Sequence, residues 1–158
     1  MTRNVALPIT GGCQCGALRY RLTEPPLMIY ACHCTNCQRI SGSAFGLAAN
    51  IREGALEFTS GEPATVAWQS DAGNERYGKF CGGCGCRIVH GQIPSIGILT
   101  LRAGTFDDPS WVVPAGHTWT RSAQPWFKFG PDDIQWEEQP TDYVPLIRRF
   151  QASVMFSD

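Results

Sequence analysis

The chain has 158 residues, with 13 basic and 14 acidic side chains and a formal net charge of −1, so it lacks the basic surplus of an electrostatic nucleic-acid binder. Hydrophobic residues make up 43% and charged residues 17%, which is enough apolar content for a core and excludes wholesale disorder. No apolar run approaches the ~20 residues of a membrane span, and the apolar stretch within residues 1–8 is too short for an export signal, so a soluble, cytoplasmic protein is expected.

Glycine and proline, 17 and 11 of them, punctuate the chain densely and favour short strands over long helices. Residues 17–23 place Leu18, Tyr20 and Leu22 on one face and Arg19 and Arg21 on the other, the period of a half-buried strand. Pro25 and Pro26 end it. A second strand is expected from Met28 to Cys32, and Thr35 or Asn36 is placed to cap a short helical turn through Ser41. Further strands are expected at 44–51, 55–59, 64–69, 76–80, 87–90 and 96–103. Turn signals such as Glu53-Gly54 and Ser60-Gly61-Glu62-Pro63 separate several of them. After Ala103 the pattern loosens, with one last strand expected at 134–137. Val144, Ile147, Phe150 and Val154 recur at helical spacing with Pro145 in the first turn, which predicts a C-terminal helix starting near Tyr143. The fold class is therefore mainly β, with short antiparallel strands and a short C-terminal helix.

The eight cysteines carry the chemistry. They stand at 13, 15, 32, 34, 37, 81, 84 and 86, in three tight clusters. A disulfide framework spreads its cysteines to close long loops, and neighbours two apart are poorly placed to bridge one another. Thiolates one to three residues apart instead suit a tetrahedral zinc, because one turn can deliver two ligands. A ferredoxin spacing for iron–sulfur ligation is missing. Cys81-x-x-Cys84-Gly85 is a chelating knuckle, in which Gly82, Gly83 and Gly85 permit positive φ. Joined to Cys13 and Cys15, it gives a closed four-thiolate site, which is structural. Cys32, Cys34 and Cys37 supply three ligands, the arrangement of a catalytic zinc with an exchangeable fourth position. Zinc with three thiolates carries a formal charge of −1 and activates water weakly, so a thiol held as thiolate suits it better than hydrolysis. Closure of this second site by Cys86, or a cluster that is oxidised or empty of metal, are the competing readings; His33 would be a strained ligand.

The blocks Gly11-Gly12-Cys13-Gln14-Cys15-Gly16, Cys32-His33-Cys34-Thr35-Asn36-Cys37-Gln38-Arg39 and Phe80-Cys81-Gly82-Gly83-Cys84-Gly85 resemble the glutathione-dependent formaldehyde-activating enzyme family, which includes centromere-protein-V-like proteins. Ser41-Gly42-Ser43-Ala44-Phe45 and Pro114-Ala115-Gly116-His117-Thr118-Trp119 continue the agreement. The resemblance implies a zinc-bound, β-tent-like domain over residues 9–130; the strand and helix expected within residues 131–158 are read as packed on the same domain. It implies two zincs per chain: a structural one on Cys13, Cys15, Cys81 and Cys84, and a reactive one on Cys32, Cys34 and Cys37. The activity implied is that of a carbon–sulfur lyase, interconverting S-(hydroxymethyl)glutathione with glutathione and formaldehyde. Cys86 departs from the family's pattern, where a small Ser or Thr is commoner.

Around this site His117 reads either as a proton donor or as a hydrogen-bonded core residue, and Trp119 and Trp126 either wall a pocket or pack in the core. A substrate carboxylate calls for an arginine, and Arg39, Arg52, Arg87, Arg102 and Arg121 are available. Two rivals to the enzyme stand beside it: a zinc-stabilised binding module without catalysis, and a thiol redox or zinc-responsive protein. The expected partners are a small thiol such as glutathione and a small aldehyde, with neither nucleic acid nor membrane.

Overall fold

The structure, a computed structural model, describes residues 3–70 and 72–157. In chain order its strands are β1 (Arg3–Ala6), β2 (Ile9–Gly12), β3 (Arg19–Leu22), β4 (Met28–Cys32), β5 (Gly46–Arg52), β6 (Leu56–Ser60), β7 (Ala64–Gln69), β8 (Glu75–Phe80), β9 (Arg87–Ile93), β10 (Ile98–Arg102), β11 (His117–Thr118) and β12 (Val154–Ser157). Helix α1 (Thr35–Ser41) follows β4, and α2 (Val144–Ser153) precedes β12. The fold class is mainly β, as the sequence predicts. No helix among the described residues is long and apolar enough to cross a membrane.

Seven strands form the main sheet in the order β11-β4-β5-β10-β9-β8-β7, antiparallel except where β11 runs parallel to β4. A smaller sheet, β2-β3-β6, carries the alternating arginine strand, and β1 pairs in parallel with β12. Tyr20 and Leu22 of β3 are buried beside Leu18, while Arg19 pairs with Asp107 and Arg21 reaches Glu57 at 2.7 Å on the outer face. All five residues of β4 are buried. That continuous burial follows from strands on both flanks and from α2 packing on it with Leu146 and Phe150.

Three local expectations are corrected. Neither Thr35 nor Asn36 caps α1; Cys34 does, its sulfur accepting from the Cys37 N–H at 3.3 Å, and Gly42 closes the helix at φ 60°. Residues 134–137 make no strand beyond a bridge from Gln135 to His117, because β11 offers only two residues to pair with. Val154 leaves the helix and opens β12, its backbone extended to pair with Arg3.

Gly11 shows how tightly the small sheet meets the turn after β10. A Cβ there would run into the Tyr20 hydroxyl, which bonds Thr105 Oγ1 at 2.8 Å, and into the Thr105 carbonyl. Overpacking of this kind costs about 1–3 kcal/mol. Gly11→Ala is therefore expected to lower the melting temperature by roughly 3–10 °C, and a calorimetric scan matching the parent would contradict the packing.

Candidate metal centres

The structure gathers Cys13, Cys15, Cys81 and Cys84 with their sulfurs all within 4.8 Å of one another, and does the same for Cys32, Cys34 and Cys37. All eight cysteines are free thiols. Bonds of about 2.3 Å to a tetrahedral zinc set sulfurs roughly 3.8 Å apart. The separations Cys13–Cys15 and Cys15–Cys81 are 3.5 and 3.7 Å. The four-sulfur group thus has the number and spacing of donors that zinc takes.

Two turns build that group. After β2 the chain folds back at Gly16, whose φ is 79°, and the Leu18 N–H donates to Cys13 Sγ at 3.2 Å. Between β8 and β9, Cys81 N–H bonds Cys86 O and Gly85 N–H bonds Cys81 O, closing the knuckle. Of its three glycines only Gly85, at φ 74°, enters the left-handed region; Gly82 and Gly83 do not. Burial raises the Cys13 thiol, but the Leu18 N–H and the neighbouring thiols outweigh it and lower its pKa to about 6. Cys86 joins neither group. It lies beside the first one, and burial pushes its thiol up.

The three-sulfur group is local. Cys32 ends β4, Cys34 caps α1, and Cys37 sits in the helix's first turn. Hydrogen bonds from Cys32 and Cys34 favour the Cys37 thiolate against the cost of burial, and Arg102 adds to them, its Nη1 3.8 Å from Cys37 Sγ. Gly46 leaves room for this contact, since a Cβ there would come within 2.7 Å of the same nitrogen.

Beside the trio opens a cavity of about 570 Å³. Strand register explains its floor: Cys32 opposes Gly46, Tyr30 opposes Ala48, which opposes Arg102, and Thr100 opposes His90. Side chains two apart along each strand share a face, so Tyr30, Cys32, Thr100 and Arg102 all look into one space. Trp119 lines it too, with its indole N–H on Gln139 Oε1 at 3.0 Å.

The remaining candidates scatter. His117 belongs to the core: its Nδ1 lies 3.0 Å from Nε2 of the fully buried His33, and Phe127 and Phe129 pack against both rings. Burial, reinforced by His117, lowers the His33 pKa to about 4. Trp126 is 67% exposed and lies away from the cavity. Arg39 is exposed, Arg52 pairs with Glu24, Arg121 pairs with Glu138, and Arg87 stacks on Trp68. Arg102 alone of the five lines the cavity, joined by Arg76, His90, Trp68 and Tyr143, which the sequence reading did not place there. The alternation of Ile98, Thr100 and Arg102 was the available signal for Arg102.

Fold and thiol geometry together define a mainly β protein with two cysteine groups suited to metal ions. The chain matches the family described as glutathione-dependent formaldehyde-activating enzyme over residues 8–122 and belongs to that family. Among solved structures, a Rhodobacter sphaeroides protein is similar in fold at 21% identity, with a TM-score of 0.50, covering 67% of this chain and 92% of that one. No curated protein matches the chain.

Proposed function

We propose that the protein is a zinc-dependent carbon–sulfur lyase that adds a thiol such as glutathione to a small aldehyde such as formaldehyde, or releases it. The observation that carries this is the contrast between the two thiol groups: four sulfurs complete a coordination shell, whereas three sit at the wall of a cavity. Cys13, Cys15, Cys81 and Cys84 would hold a structural zinc; Cys32, Cys34 and Cys37 would hold a second one whose remaining position faces the substrate. When bound there, zinc lowers a thiol's pKa and keeps it as thiolate at neutral pH.

The chain's own residues do the rest. Arg102 offsets the negative charge of the thiolates and orients Cys37. The Trp119 and Tyr143 side chains wall the reacting space and reduce competition from water. Carbon–sulfur bond formation moves the thiol's proton to the carbonyl oxygen, and the reverse reaction returns it. We also read residues 9–130 as the zinc-binding domain and residues 131–158 as packed on that same domain, which Gln139, Tyr143 and Ile147 support by lining the same cavity.

Cobalt-substituted protein provides the test. Millimolar glutathione is expected to shift its visible absorption as a thiol enters the second site, and metal analysis should return two ions per chain. An unchanged spectrum would favour the binding module, and one tightly held ion with oxidised Cys32, Cys34 and Cys37 would favour the redox-responsive protein.

A further inference from the structure

The cavity is more apolar than a one-carbon aldehyde requires, with Leu27, Ile40, Ile96, Ile98, Ile147 and Trp68 on its walls. It also holds two guanidinium groups. Arg76 and Arg102 line it, and no aspartate or glutamate does among the described residues. Arg102 is only 8% exposed, and its Nε is buried without a hydrogen-bond partner. Arg76 is half-buried and makes no ion pair among the described residues. Between them His90 is held neutral, because burial and the charges of Arg102, Arg76 and Arg87 lower its pKa to about 3.

Withdrawing guanidinium groups from water without an anion is costly. Cys37 Sγ meets one edge of Arg102, and Arg76 has no anionic partner among the described residues. Planar guanidinium forks are shaped for carboxylates, and both line one cavity.

We propose that the cavity binds a substrate with an apolar body and a single carboxylate, the carboxylate received by Arg76 and Arg102 and the body lying against Ile96, Ile98 and Trp68. This deepens the lyase reading, on which it rests for the identity of the substrate site, by assigning the part of the substrate that does not react.

The test is calorimetric titration of the zinc-loaded protein with 4-phenylbutyrate and with 4-phenylbutanol, which share a body and differ in charge. The acid is expected to bind about tenfold or more tightly than the alcohol, the usual worth of charge-assisted hydrogen bonds. Arg76→Gln, which stands apart from the cysteines, should abolish most of that preference while zinc content and the alcohol's affinity stay as in the parent; Arg102→Gln should weaken the acid likewise. Equal binding of acid and alcohol, no binding of the acid at millimolar concentration, or a preference unchanged in Arg76→Gln would overturn the proposal. Neither probe carries a thiol, so such a failure would leave the cobalt response to glutathione intact, and loss of that response would leave the carboxylate titration readable.

Discussion

Cys81→Ala is expected to abolish the cooperative native fold. Cys81 is buried and its sulfur lies 3.7 Å from that of Cys15, a contact spanning 66 positions of sequence. The four-sulfur group therefore ties the turn after β2, in the small sheet, to the turn after β8, in the main sheet. A metal in such a group closes a long loop and exists only in the folded state, so its binding energy is folding energy. Structural zinc sites contribute about 10–16 kcal/mol, against a total stability of about 5–15 kcal/mol for ordinary domains. With one thiolate gone, little net stability remains. The expected signs are loss of near-ultraviolet circular dichroism, no cooperative thermal transition, aggregation, and release of the structural ion. A variant that melted cooperatively within a few degrees of the parent would show that this group is not what joins the two sheets.

The unequal legibility of the site follows from distance along the chain. The three cysteine blocks announce themselves because each is a local spacing, and the structure gathers the sulfurs in groups of four and three. The Leu18-Tyr20-Leu22 alternation and the α2 periodicity are likewise local, and both elements form. What escaped the sequence depends on partners far apart. The β1–β12 pair joins residues 3–6 to residues 154–157, and neither segment is long enough to show a strand period. The buried contact between His33 and His117 crosses 84 positions. The cation pair of the cavity is assembled by register across β8, β9 and β10, and no spacing in sequence records that Arg76 and Arg102 will face one space. The N-cap of α1 escaped for a chemical reason: capping preferences favour oxygen acceptors, and here a cysteine sulfur takes the role.

Cys34→Ala should separate chemistry from architecture. Its group lies within six consecutive residues, from Cys32 to Cys37, so a metal there closes only a short loop and little unfolded-chain entropy is removed by it. The fold around it is secured by other means: Cys32 lies in a strand paired on both sides, and the neighbouring His33 is locked under Phe45 and Phe127. The structural loss is the sulfur cap of α1, worth about 1 kcal/mol, together with whatever the second ion contributes locally. A drop in melting temperature of roughly 2–8 °C is expected, with near-ultraviolet circular dichroism preserved. The functional loss should be near complete. Two thiolates are too few to retain zinc against exchange, so one metal per chain should leave, the cobalt spectrum should stop responding to glutathione, and any thiol–aldehyde turnover should fall by a factor of about a hundred to a thousand, as when an enzyme loses a main electrostatic stabiliser. The Arg76-dependent share of 4-phenylbutyrate binding should survive, whereas the share through Arg102, which touches Cys37, should weaken. If Cys34→Ala instead unfolded as Cys81→Ala does, both ions would be scaffolding and a binding module would be the better description. If it kept its second ion and its thiol response, the reactive centre would lie elsewhere in the molecule.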